Sequence, residues 1–112
     1  DLAMGGSKTP SSAPAAPVTI NGKNASSVVF SKGGTDVGTY TQVAGTKNWT
    51  ENTMSGQARF NYQETGRDEW SVYLYDAARK VKIALDLFQK KVKYSGPSDT
   101  SYRDLYPISA MK

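Results

Sequence analysis

The chain has 112 residues, with 14 Lys+Arg against 10 Asp+Glu and neither Cys nor His. That length holds one domain, and the missing Cys and His exclude disulfide frameworks, thiolate zinc sites, Ser-His-Asp or Cys-His catalysis and His-ligated metals. A net charge of +4 is modest, because nucleic-acid binders concentrate more positive charge than this on one face.

The remaining chemistry rests on carboxylates, Lys, Tyr, Arg and hydroxyls, so no cofactor and no metal is expected. No run approaches the roughly 20 apolar residues of a membrane-spanning helix. Residues 1–17, DLAMGGSKTPSSAPAAP, are small, polar or Pro, apart from Leu2 and Met4. Such a segment buries too little surface to offset its ordering entropy and reads as a disordered linker or arm. Residues 18–112 read as a single β-rich domain. A linker in front of a small domain suits a secreted or cell-surface module, and a cytoplasmic one is equally compatible with the absence of Cys.

From residue 18 onward, turn dipeptides separate short alternating runs. Residues 18–20 precede Asn21-Gly22. Residues 27–31 carry Val28, Val29 and Phe30 and end at Gly33-Gly34. Residues 37–43 put Val37, Thr39, Thr41 and Val43 on one face, with Gly38, Tyr40 and Gln42 on the other. Residues 47–52 surround Trp49, and Ser55-Gly56 breaks the run. Residues 57–64 set Ala58, Phe60 and Tyr62 against Arg59, Asn61 and Gln63, and Thr65-Gly66 opens a tight connection. Residues 69–75 set Trp70, Val72 and Leu74 against Ser71, Tyr73 and Tyr75, the cleanest period of two in the chain.

Residues 79–94 fit two patterns. Val81, Ile83, Leu85 and Leu87 alternate as in a strand, while Val81, Leu85, Phe88 and Val92 recur at helical spacing with Asp76 as an N-cap. The strand hairpin is preferred, because it pairs with 69–75 and continues into Val92 and Tyr94. Gly96 to Asp99 form a loop. Residues 102–109 read as a last edge strand, because Pro107 disfavours a central position. Such an edge is open to pairing with a second copy of the chain. No internal repeat is visible.

The expected fold is all-β, an antiparallel sandwich or meander barrel of about seven to nine short strands. It becomes α+β if residues 79–94 form one helix. The inward candidates are Val29, Val37, Phe60, Tyr62, Trp70, Val72, Leu74, Val81, Ile83, Leu85 and Val92.

Three constellations carry functional readings. The acidic turn from Glu64 to Glu69 lacks the alternating spacing of a calcium loop and reads as a solvated hairpin with Arg67 as counter-ion. The basic hairpin of Arg79, Lys80, Lys82, Lys90, Lys91 and Lys93 would form an outward stripe able to meet polyanions. Tyr73 and Tyr75 share the outer side of one strand as a ring platform, and Trp49, among polar neighbours, joins them as a ligand contact. Trp70 reads as core. Asn48, Gln63 and Asp76 would supply polar contacts. The sequons at Asn24 and Asn48 occur at the frequency expected of a Ser/Thr-rich chain, and no glycine-rich phosphate cradle fits.

A non-catalytic, lectin-like carbohydrate-binding module is therefore expected, with a glycan stacked on surface aromatics. The alternatives are a protein-binding module (an inhibitor, adhesin or toxin-associated domain) and a polyanion binder acting through the Lys-rich hairpin, with nucleic acid a less favoured anion.

Overall fold

A computed structural model describes residues 20–112. The segments read as a linker arm (1–17) and as the opening of a first strand (18–19) lie outside the described residues. Ile20 to Ser26 form turns and extended chain ahead of the first strand.

The domain is a closed antiparallel barrel of eight strands among the described residues. They are β1 (Ser27–Lys32), β2 (Thr35–Gln42), β3 (Asn48–Thr53), β4 (Ala58–Arg67), β5 (Ser71–Asp76), β6 (Val81–Asp86), β7 (Lys91–Ser95) and β8 (Arg103–Met111). Each pairs with the next, and β8 closes the ring against β1 through Val28↔Met111, Val29↔Ala110 and Phe30↔Ile108.

Residues 79–94 are thus two strands and a turn, not a helix. Asp76 accepts from the backbone N–H groups of Ala78 and Arg79, and Asp86 accepts from those of Phe88 and Gln89. Each turn ends on a lysine with positive φ, Lys80 at 55° and Lys90 at 58°. The segments Asp76-Ala-Ala-Arg-Lys80 and Asp86-Leu-Phe-Gln-Lys90 are therefore one turn used twice, a local repeat hidden by unlike central residues. The carboxylate caps that fix these turns outweigh the helical propensity of the Ala, Leu, Lys and Gln between them.

A side chain held in the left-handed region costs about 1–2 kcal/mol. Lys80→Gly or Lys90→Gly is accordingly expected to raise stability by about 0.5–1 kcal/mol, after the extra entropy of glycine in the unfolded chain. Urea midpoints would check this, and lowered midpoints for both variants would contradict it. At β1–β2 the sequence already supplies the preferred pair, with Gly33 at φ 61° and Gly34 at 84° in a two-residue hairpin turn.

β8 is not an edge strand. The Ile108 N–H donates to Lys90 O, so the ring nitrogen of Pro107 points the other way, toward β1. On that side the pairing ends at Phe30↔Ile108, and the missing N–H leaves no ladder bond broken.

The interior is a single core. Val28, Tyr40, Trp49, Val72, Leu74, Ile83, Leu85 and Val92 are at most 1% exposed. Phe30, Tyr40, Tyr62 and Tyr106 form a ring column, with successive centroids 4.7, 5.1 and 5.8 Å apart from Tyr106 through to Tyr62. Gly38 faces Phe30 across the ladder, and a Cβ there would lie 2.5 Å from the ring. The glycine lets the ring lie against the backbone of β2. Among the described residues no helix is long and apolar enough to cross a membrane. Thr39, Thr41, Asn61, Gln63, Lys82 and Lys93 lie on the outer wall of the barrel.

The two ends differ. Asn21 to Ser26 pack across one end, with Ala25 buried and the Gly22 N–H donating to Glu69 O at 2.9 Å. Beneath them Trp49 Nε1 donates to Glu64 Oε1 at 3.0 Å, and Arg67 Nε pairs with Glu64 Oε2 at 3.0 Å. Burial works against the Glu64 carboxylate, but hydrogen bonds from Arg67 and Trp49 hold its pKa below the usual range. The solvated acidic hairpin expected at 64–69 is corrected here: Glu64 and Arg67 belong to β4 and form a largely buried pair. Residues three apart on a regular strand face opposite sides, and a bulge at Thr65 turns both inward.

Candidate functional site: an outer aromatic cleft

A cleft of about 440 Å³ opens on the outer wall, lined by Thr65, Gly66, Tyr73, Tyr75, Lys82 and Tyr102 together with Leu74. The register explains its shape. Tyr73 lies between Gly66 on β4 and Ala84 on β6, two positions with little or no side chain. Its ring therefore has no bulky cross-strand partner and stands beside a hollow. Tyr75 lies in the next outward row, flanked by Gln63 and Lys82. The bulged Thr65 borders the hollow and donates its hydroxyl to Tyr73 O at 3.3 Å. Tyr102 reaches the cleft from the 96–102 loop, where Asp99 accepts from the Gly96 N–H at 2.7 Å.

Tyr73 is fixed in place. Its hydroxyl donates to Asp68 Oδ2 at 2.6 Å, and Asp68 Oδ1 accepts from the N–H groups of Trp70 and Ser71 at 3.0 and 2.8 Å. The hydrogen bond from Tyr73 and those from the turn hold the Asp68 pKa low, and the same bond raises that of the Tyr73 hydroxyl. Burial raises that of Tyr102.

A carboxylate whose folded pKa is depressed contributes stability above its unfolded pKa and loses it as pH falls through the folded value. The Tyr73 latch is expected to hold from neutral pH down past the ordinary aspartate value of about 3.9 and to open only below it. Tyrosine ring signals followed by NMR on acidification would show this. A change centred near pH 6 would contradict it.

The sequence-predicted site residues separate into two groups. Asn48, Gln63, Tyr75 and Lys82 form one outward register row across β3 to β6, beside Tyr73. Trp49 and Asp76 do not join them. Trp49 is 0% exposed, inside the barrel, whereas Trp70 is 37% exposed, so the two indoles exchange the places expected of them. Asp76 is buried as a turn cap, held at low pKa against the cost of burial by Arg79. Among the inward candidates Val37 is 38% exposed, and Val29 shares an outward row with Thr39. Tyr102 is absent from the sequence-predicted site because it reads as the start of a strand; an aromatic three residues beyond Asp99, at the end of a polar loop, is the available signal.

The basic hairpin is not a free stripe. Lys91 pairs with Asp104 at 2.9 Å, Lys93 with Asp86 at 3.4 Å, and Arg79 with Asp76. Lys80 and Lys90 sit in turns at opposite ends of β6, and Lys82 borders the cleft.

Set against known proteins, the chain matches no family model, and no curated protein or solved structure is significantly similar to it. Function is therefore argued from the site itself.

Proposed function

We propose that this protein is a non-catalytic carbohydrate-binding module whose ligand lies along the outer cleft. The observation that carries the reading is the placement of Tyr73, Tyr75 and Tyr102 around one hollow opened by Gly66. Pyranose rings present flat C–H faces, which stack on aromatic side chains, while their hydroxyls need hydrogen-bonding polar partners. Thr65, Gln63 and Asn48 offer such partners along the same wall, and Lys82 offers a cation. The Asp68 latch keeps Tyr73 preorganised, which lowers the ordering cost of binding.

A second reading, a protein-binding module, has one observation of its own. Trp70 and Phe88 are 37% and 70% exposed on adjacent loops and meet edge to face at 5.5 Å. The equivalent position in the twin turn is Ala78, so the turn itself does not require Phe88.

A glycan array probed at low and moderate salt separates these readings. Binding to neutral glycans with little salt dependence is expected. Binding confined to sulfated glycans and lost at moderate salt would favour the polyanion alternative. A blank array would move the weight to a protein partner at Trp70 and Phe88.

A further inference from the structure

The barrel has one covered end and one open end. At the open end a cavity of about 150 Å³ descends between Phe60, Tyr94 and Tyr106 to Glu51. We propose that this mouth is a second binding site, for a small hydroxylated carboxylate of the size of a single uronic acid.

The floor is a buried acceptor. Glu51 is 7% exposed and accepts from the Tyr62 hydroxyl at 3.0 Å. Burial, followed by the field of Glu51, pushes the Tyr40 and Tyr62 hydroxyls well above the ordinary tyrosine range, so both stay protonated. A carboxylate has more acceptor sites than these donors fill, and the cavity leads to it. Hydroxyl groups of a ligand can occupy the remainder.

The rim is cationic. Arg79 is fully engaged: it pairs with Asp76, donates to the Tyr62 hydroxyl at 2.7 Å and stacks 3.6 Å over Phe60. Arg59 and Arg103 are not. Arg59 stacks 5.4 Å from the centre of Phe60, is 52% exposed along its side chain and reaches Glu51 only at 3.9 Å. Arg103 stacks 5.0 Å over Tyr94, opposite it in the ladder, and no carboxylate pairs with it among the described residues. Each guanidinium lies over a ring face, and neither has a close carboxylate partner among the described residues, so both have donors left to receive a carboxylate.

Acceptor floor, aromatic walls and donor rim together select the ligand class. A neutral sugar leaves the two arginines unanswered. A simple anion such as acetate leaves the floor and the ring faces unused. A uronate meets all three, and the volume admits one ring rather than an oligomer. This site shares no residue with the outer cleft, so the two readings stand or fall separately.

The test is calorimetric titration of the full chain with sodium glucuronate and galacturonate, against glucose and acetate. At least one uronate is expected to bind about tenfold or more tightly than either control, the effect of a hydrogen-bonded charge pair. Arg59→Gln and Arg103→Gln should each weaken it about tenfold. Arg59 lines the cavity, Arg103 reaches it through its contact with Tyr94, and both are exposed, so thermal midpoints should stay near wild type. Tyr75→Ala should leave uronate binding unchanged. No uronate binding, equal binding of glucose that persists with Tyr75→Ala, or loss with Tyr75→Ala but not with Arg59→Gln would each overturn the proposal.

Discussion

Replacing Trp49 with alanine is expected to destabilise the barrel by about 3–5 kcal/mol, a large part of the stability of a domain this size. The indole is wholly buried, and its Nε1–H is one of the bonds that hold Glu64 beside Arg67. Removing it opens a cavity and strips a donor from a largely buried carboxylate, two penalties that act together. Trp49→Phe keeps most of the volume and loses only the donor, so its cost should be smaller. Trp70→Ala provides the contrast: a partly exposed ring should cost about 1 kcal/mol or less. Urea unfolding of the three variants orders them. A Trp49→Ala protein with wild-type stability would contradict the placement of this residue.

Gly38→Val should be comparably damaging. A Cβ at Gly38 would meet Phe30 at 2.5 Å and Asn52 O at 2.8 Å. Phe30 cannot retreat, because Tyr40 and Tyr106 lie against it. Overpacking of this kind costs about 1–3 kcal/mol, and the branched side chain lies at the upper end of that range. Gly66→Ala is the matched control, since nothing lies within 4 Å of its Cβ. That variant should unfold at nearly the wild-type urea concentration, and an equal loss in both would show that the close approach at Gly38 is not what matters.

Much of the fold is legible in the chain because most strands obey a period of two. Ser71–Asp76 is the clearest: Val72 and Leu74 are buried, and Tyr73 and Tyr75 face the outer wall. The meander order follows from its turn residues. What the sequence hides are the places where a buried polar group breaks the period. Glu51 faces inward two residues after Trp49, so a polar neighbourhood concealed an interior strand. Glu64 and Arg67 face inward together only because of the Thr65 bulge, which no local pattern announces. Trp70 continues the alternation of β5 on paper, yet it precedes the strand and lies in the loop capped by Asp68. Closure of the ring is a long-range property, and Pro107 argued against it until its nitrogen was seen to face the side where pairing with β1 ends.

The candidate site was legible in part. Alternation alone sets Tyr73, Tyr75 and Gln63 on outward faces, but not Asn48, because a surface reading of Trp49 turns its neighbour inward. Nor does it give the hollow beside them, because that depends on the small residues Gly66 and Ala84 standing on either side of Tyr73. In the basic hairpin Lys82, Lys91 and Lys93 share the outer wall as expected, but the pairing of Lys91 and Lys93 was hidden. Charge counted along a chain overlooks carboxylates that strand pairing brings alongside, as Asp104 is brought to Lys91.

The most direct test of the account is the affinity of a glycan selected on the array for the wild-type protein, Tyr73→Ala and Tyr75→Ala, with thermal melts run in parallel. Loss of one stacked ring should weaken binding by about 1–1.5 kcal/mol, roughly tenfold, while the midpoint falls by no more than a few degrees. Undiminished affinity in both folded variants would contradict the account and remove the outer cleft as the binding site.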